Sequence, residues 1–228
     1  MYKMPRMGRL VPGFGTMQSF KSNINSIGAM VLERARFGYR ADRIMLGMQQ
    51  ELNDALVDQA DCEELYASLY FPTALVWKPI CGVGHASVFI GHSINGPNDT
   101  DRYASLFPGN DVDTGEDGAG PQHLLPGRKL EGQANSFLAD CLSEGDGNGY
   151  RKPEFVIQMK NLDRNAMLAK WISIRDKPEM HYRLMRKNCS TIAARVIRAG
   201  LRKTEIHLTA HKAWWTPYDI VTLANAVA

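Results

Sequence analysis

The chain has 228 residues, of which 44% are hydrophobic and 22% charged, and this composition is typical of a globular protein with a sizeable core. Its formal net charge is only +3, and no dense run of Lys and Arg alternates with aromatic residues, so we expect no nucleic-acid partner. No stretch approaches the roughly 20 apolar residues that a membrane-spanning helix requires, so we expect no membrane span.

The first third of the chain is predicted to be a helical layer. Residues 1–15 are rich in Gly, Pro and Met, which indicates coil, and they lack the apolar segment of a Sec signal peptide. Apolar residues recur at helical spacing over 19–39 and over 42–58, where Asp42 is a candidate N-cap. A third, short helix is predicted over 61–70.

The residue pattern changes from helical to strand-like in the middle of the chain. Runs of β-branched and aromatic residues predict strands over 73–80, 85–90 and 102–107, with a turn-rich loop over 92–101. The segment 110–128 is dense in Gly, Asp and Pro and is predicted to be an exposed loop at the border of a site.

The last part of the chain mixes strands with helices. In order, we predict a helix over 131–142, a strand over 154–159, a helix from Asp163 to 175, a strand-like segment over 182–185, and helices beginning at 188 and covering 217–226. This order predicts an α+β fold with a largely antiparallel sheet. We expect a coil and helical extension (1–71) and a second domain (72–228) that carries the candidate site.

The four cysteines lie far apart in the sequence, at 62, 81, 141 and 189, and none has zinc-site spacing. Cys189 differs from the others because it stands at the start of a predicted helix whose apolar stripe comprises Ile192, Ala193, Val196 and Ile197. Free N–H groups and the helix dipole stabilise a thiolate there, and Arg186 and Lys187 add positive potential. The same N–H groups could bind an oxyanion. The alternative is a buried, inert cysteine.

A histidine upstream could activate this thiol. His85 begins an apolar strand directly after Gly84, and an imidazole against Cys189 would complete a nucleophile and base pair. The alternative is a hydrogen-bonded histidine at the end of a sheet, and His181 is the reserve candidate for the base.

A third residue is expected to orient the far nitrogen of the imidazole from an adjacent antiparallel strand. Ser105 lies on the next predicted strand, and Asp101, Asn95 and Asp99 are nearby alternatives. For each of them a surface position is the competing interpretation.

Three segments together resemble a known family. They are His-Ala-Ser-Val-Phe-Ile-Gly (85–91), Arg-Tyr-Ala-Ser-Leu-Phe-Pro (102–108) and Tyr-Arg-Leu-Met-Arg-Lys-Asn-Cys-Ser (182–190) ahead of a helix. With the histidine strand before the cysteine helix, residues 73–201 resemble the circularly permuted, NlpC-like papain-fold hydrolases, a group that includes lecithin retinol acyltransferase and YiiX-type amidases. The resemblance implies that Cys189 is the nucleophile, His85 the general base and acid, and Ser105 the third residue. A serine departs from the His, Glu or other polar group usual in the family and orients imidazole more weakly than a carboxylate does.

The function that the resemblance implies is a cysteine hydrolase that cleaves an amide, foremost in peptidoglycan peptides, and needs no metal or organic cofactor. The segments also resemble toxins delivered by type VI secretion. That implies synthesis in the bacterial cytoplasm, a secretion-system carrier, an immunity protein and a target-cell periplasm as the place of action. A plain cytoplasmic enzyme fits the N-terminus equally well. The rival functions are an acyltransferase or esterase acting on lipid, and a catalytically inactive binding module.

Overall fold

The computed structural model describes residues 47–80, 84–108, 130–145, 149–183, 186–202, 212 and 214–228. Its helices are α1 (47–54), α2 (Gln59–Ser68), α3 (Phe137–Glu144), α4 (Arg164–Arg175), α5 (Cys189–Ala199) and α6 (Pro217–Val227). Its strands are β1 (Leu56–Val57), β2 (Thr73–Trp77), β3 (His85–Phe89), β4 (Tyr103–Ala104), β5 (Leu106–Pro108), β6 (Leu130–Ala134), β7 (Tyr150–Arg151), β8 (Phe155–Gln158) and β9 (His181–Tyr182). The coil and helix predicted over 1–39 and the loop predicted over 110–128 lie outside the described residues.

The strands form three antiparallel sheets. The largest has the order β4-β3-β2-β8, a second has the order β5-β6-β9, and β1 pairs with β7. In the largest sheet Trp77 lies opposite His85, so the first residue of β3 is flanked by a large aromatic side chain. Mixed helices and antiparallel sheets confirm the predicted α+β class.

The helix that begins at Cys189 packs on the central sheet. Its apolar stripe is fully buried, as predicted. The stripe belongs to one hydrophobic cluster with Ala86 and Val88 of β3 and with Ile90, which follows β3. Burial of each large aliphatic side chain contributes about 1.5–3 kcal/mol, so this contact firmly fixes the helix relative to β3. None of the described helices is long and apolar enough to span a bilayer.

A second cluster joins the front of the chain to the sheet. Cys62, Tyr66 and Leu69 from the region of α2 are buried together with residues of β2, β3 and α3, including Trp77 and Phe137. The helix α2 therefore shares a core with the strand that carries His85. The domain boundary at 71/72 stays a prediction.

The helix predicted over 131–142 is confirmed for 137–142 and wrong for its first part. Residues 130–134 form β6, which pairs with both β5 and β9. The helix α3 begins only at Phe137, where the Ser136 hydroxyl accepts a hydrogen bond from the Ala139 N–H as the N-cap. A Cβ at Gly132 would lie 3.0 Å from the backbone carbon of His181, so the close pairing of β6 with β9 favours glycine there. Tertiary pairing, which local periodicity does not show, determines this strand.

Two further boundaries differ from the prediction. The helix predicted to run through residue 58 ends at 54, because Leu56 and Val57 pair with Arg151 and Tyr150. The single strand predicted over 102–107 divides at Ser105 into β4 and β5, which belong to different sheets. The break at Ser105 proves to be a feature of the site.

Candidate active site

Cys189 is the first residue of α5, and its neighbour Asn188 fixes the start of that helix. The Asn188 Oδ1 accepts hydrogen bonds from the Thr191 N–H and hydroxyl, each at 2.8 Å, and its Nδ2 donates to the Trp215 carbonyl at 3.0 Å. An asparagine N-cap of this kind satisfies one of the free N–H groups of the first turn and anchors the turn to the rest of the protein. The thiol itself is half-buried.

The thiol of Cys189 interacts with the imidazole of His85. Burial raises the pKa of Cys189, but the charge of His85, a hydrogen bond with its ring, the Ala86 N–H and the Ser190 hydroxyl together lower that pKa below its usual value. Burial lowers the pKa of His85, but the charges of Asp140 and Cys189 and hydrogen bonds with both hold it well above its usual value. Both shifts favour a thiolate beside an imidazolium.

The other side of the imidazole is held by Asp140 and Ser105. His85 Nε2 lies 2.9 Å from Asp140 Oδ2 and 3.1 Å from Ser105 Oγ, which leaves Nδ1 as the nitrogen for the thiol. The ring of His85 packs against Phe107 at 4.5 Å and Trp77 at 5.5 Å between centroids. The imidazole is only 1% exposed, so water has little access to it.

Asp140 is fully buried, yet each of its oxygens is hydrogen-bonded. Its Oδ2 also accepts from the Tyr103 hydroxyl at 2.7 Å, and its Oδ1 accepts from the Ser105 hydroxyl and the Asn135 Nδ2, each at 3.0 Å. These donors offset the loss of hydration that a buried carboxylate suffers. They also fix its position, so Asp140 can orient His85 and stabilise its charged form.

A second buried ion pair lies one helical turn beyond Asp140. Burial raises the pKa of Glu144 to about 7, while the charges of His85 and Arg151 oppose that shift. Arg151 Nη1 is 3.6 Å from Glu144 Oε2, and the Arg151 carbonyl accepts from the Trp77 indole N–H at 2.9 Å. Because Trp77 packs on His85, the Glu144–Arg151 pair helps to hold the imidazole in place through Trp77.

The structure brings three of the predicted site residues together: Cys189, His85 and Ser105. The alternatives for the third position lie elsewhere. Asp99 accepts hydrogen bonds from Ser93 and Asn95, and Asp101 pairs with Arg175 at 2.5 Å. The reserve base His181 lies in β9 opposite Glu131, while the thiol has its contacts with His85, Ala86 and Ser190.

Sequence reasoning missed Asp140. The segment Phe137-Leu-Ala-Asp-Cys-Leu142 places one carboxylate inside an apolar run, directly after the potential N-cap Ser136. A charged residue at the buried face of a short capped helix is a signal that could have identified it.

Arg186 and Lys187 lie on the hairpin that precedes Cys189. They line a cleft of about 470 Å³ together with three further cations, and we call it the cationic cleft; it comprises Lys177, Arg183, Arg186, Lys187 and Arg195, with Glu179 and His181. The main groups that lower the pKa of Cys189 are His85, Ala86 and Ser190 instead. Within the described residues no group of three His, Cys, Asp or Glu side chains could hold a metal ion.

Residues 133–228 match the family model of the IcsB middle domain, a segment that contains Asp140 and Cys189 but begins after His85. The chain is also 33% identical over 106 residues to a multifunctional-autoprocessing repeats-in-toxin protein of Vibrio vulnificus, which is 46% of this chain and 2% of that protein. A protein of the same name from Vibrio cholerae serotype O1 is 33% identical over 75 residues, 32% of this chain and 2% of that protein.

The chain therefore spans a very small part of these relatives. No solved structure matches it. Both relatives are toxins by name.

Proposed function

We propose that the protein is a cysteine-dependent acyl-transfer enzyme, with Cys189 as nucleophile, His85 as general base and acid, and Asp140 as the residue that orients His85. The observation that carries this proposal is the continuous chain of contacts from the half-buried thiol through a buried imidazole to a buried, fully hydrogen-bonded carboxylate. Ser105, which contacts both His85 and Asp140, has a supporting role.

The proposed chemistry follows from the lowered pKa of Cys189 and the raised pKa of His85. The Cys189 thiolate attacks a carbonyl carbon, and the N–H groups in the first turn of α5 are placed to stabilise the oxyanion. The His85 imidazolium then gives its proton to the leaving group, and a thioester remains on Cys189. Water enters, gives a proton to His85, and attacks the thioester, so that the acid is released and the thiol is restored.

The first substrate that we propose is an amide in a peptidoglycan stem peptide. Stem peptides carry carboxylates, and the cationic cleft, which is built from the hairpin before Cys189 and the helix after it, suits an anionic substrate. As part of a toxin, the domain would act in the periplasm of a target cell, with a secretion-system carrier and an immunity protein as partners.

The second candidate is an acyltransferase or esterase that acts on lipid. Both functions share the thioester. A lipid esterase would release the acyl group to water, as the amidase does, whereas an acyltransferase would pass it to another nucleophile. The complete burial of His85 and Asp140 limits water at the base and favours transfer to a bound acceptor. The third hypothesis, an inactive binding module, expects Cys189 and His85 to be apart, and their contact argues against it.

Incubation of the purified protein with peptidoglycan and, separately, with phospholipid vesicles tests these candidates by mass spectrometry of the products and of the intact protein. An acyl adduct on Cys189 with free stem peptides supports the amidase, and an adduct with fatty acyl groups supports the lipid enzyme. The Cys189→Ala variant is the control in both arms.

The thiol can also be tested without a substrate. We expect iodoacetamide to alkylate Cys189 faster than a model thiol at neutral pH, because the pKa of this thiol is lowered. Alkylation no faster than that of the model thiol would refute the proposed catalyst.

A further inference from the structure

The described lining of the cationic cleft carries more positive than negative charge. Five of its side chains are cationic, and Glu179 is the only acid among its lining residues. Lys177, Arg186 and Arg195 are exposed, so their charges are directed to solvent and not buried in the protein. A volume of about 470 Å³ is in the range of small-molecule sites.

The shape of the cleft is fixed by the hairpin that leads into the nucleophile. The Arg183 N–H donates to the Lys187 carbonyl at 3.0 Å, and the Lys187 N–H donates back at 2.7 Å. This pairing holds two of the cations on one tight turn, two residues before Cys189. Arg195 belongs to the same helix as Cys189 and lies about 9 Å further along its axis.

Arg183 supplies an independent sign of a ligand. Its Nε–H is buried and has no hydrogen-bond partner among the described residues, although buried donors are nearly always paired. An anion in the cleft would accept this hydrogen bond. A guanidinium binds phosphate or carboxylate through two parallel N–H groups, so the orphan donor and the excess charge point to the same kind of ligand.

We propose that the cationic cleft is a phosphate-binding subsite, which holds a phosphorylated part of the substrate. Phosphate is favoured over carboxylate because one phosphate group carries about 1.5 to 2 negative charges and three acceptor oxygens. A single carboxylate carries only one negative charge against the five cations of the lining. This inference rests on the proposed function, and it favours a phosphate-bearing acyl substrate over a stem peptide.

Calorimetric titration of the whole chain with pyrophosphate tests the subsite. We expect binding that weakens at high salt, and about tenfold loss of affinity in Arg183→Gln and in Arg195→Gln, because each removes a charge-assisted contact. Arg195 is exposed on α5, so its variant keeps the fold even if Arg183→Gln does not. Lys170→Gln, an exposed cation on α4 outside the cleft, should bind as the wild type does.

Two further probes identify the ligand chemistry. Tricarballylate, a tricarboxylate, should bind at least about tenfold more weakly than pyrophosphate, and equal affinity would overturn the phosphate assignment in favour of an acidic peptide. Phosphatidylcholine vesicles containing phosphatidic acid show whether a lipid headgroup is the source, since Arg195→Gln should then reduce sedimentation with them. Binding to neither phosphate probe, or binding insensitive to both arginine variants, overturns the inference.

The phosphate subsite and the proposed catalyst can be tested independently. Pyrophosphate binding does not need the thiol, so Cys189→Ala should bind it with unchanged affinity. A reactive Cys189 without pyrophosphate binding would refute the subsite alone. Pyrophosphate binding with an inert Cys189 would refute the catalyst alone.

Discussion

The two sides of the candidate site compensate their charges in opposite ways. Around Asp140 a fully buried carboxylate receives hydrogen bonds from His85, Tyr103, Ser105 and Asn135, so the protein itself neutralises the charge. In the cationic cleft five cations face a single acid, and the Arg183 Nε–H has no partner among the described residues.

This difference separates the fixed part of the site from the part that is built for a ligand. A satisfied buried network holds its members in one geometry, as general base catalysis requires. Excess exposed charge attracts a partner of opposite sign and is satisfied only when that partner binds. The predictions below test the fixed part, in order of expected effect.

Replacement of His85 should have the largest effect on turnover. His85→Ala removes the base and the positive charge that lowers the pKa of Cys189, so we expect turnover to fall about 100- to 10,000-fold. The pH midpoint of Cys189 alkylation should move upward in the same variant. Circular dichroism controls for folding, and His92→Ala, at an exposed histidine outside the site, is the matched control. Retention of wild-type turnover in His85→Ala would assign the base elsewhere.

Asp140→Asn should reduce turnover about 100-fold or more while the fold is kept. The amide is close in shape to the carboxylate, but it lacks the charge that raises the pKa of His85, and it can present an N–H where His85 needs an acceptor. Rates measured over a pH series should show the loss of the imidazolium. An effect smaller than that of Ser105→Ala would show that Asp140 is only a structural residue.

Ser105→Ala should have a smaller effect, about tenfold on turnover. The Ser105 hydroxyl contacts both His85 and Asp140, but Asp140 keeps its bonds to His85, Tyr103 and Asn135 without it. A hydroxyl also orients imidazole less strongly than a carboxylate does. Steady-state kinetics of Ser105→Ala and Asp140→Asn measure the ratio of the two losses of turnover directly. Equal losses in the two variants would mean that the serine and the aspartate act as one unit.

The parts of the site that the sequence could predict are local. Helix α5 has an N-cap, an apolar stripe and a cysteine at its first residue, all within eleven residues, and β3 is a short apolar run after Gly84. The predicted chemistry of Cys189 and His85 depended on these two signals. Their contact is a tertiary fact. The chemistry of a thiol and an imidazole and the family resemblance suggested it, but neither local signal shows it.

The parts that the sequence could not predict depend on pairing between distant segments. Leu130–Ala134 has no β-branched or aromatic residue and becomes a strand because it lies between β5 and β9. Reading it as a helix merged it with α3 and concealed Asp140.

The smallest expected effect on turnover is that of Glu144→Gln, which instead changes the pH dependence of stability. Glu144 is 2% exposed, and its pKa is raised from 4.5 to about 7 in the folded protein. Between these values the folded state holds a proton that the unfolded state has released, so stability is greatest below pH 4.5 and falls as the pH rises through about 7. The expected loss is roughly 3 kcal/mol.

Urea unfolding at a series of pH values measures this slope. Glu144→Gln keeps a neutral side chain at every pH, so the free energy of unfolding should decline less with pH in this variant. Glu154→Gln, the control, removes the more exposed acid beside Arg151 and should leave the decline unchanged. Turnover should change only a few-fold, because Glu144 supports Trp77 and His85 through Arg151 and does not touch the reacting atoms. An unchanged pH slope in Glu144→Gln would mean that Arg151 keeps Glu144 ionised, and the support behind His85 would then be a full ion pair.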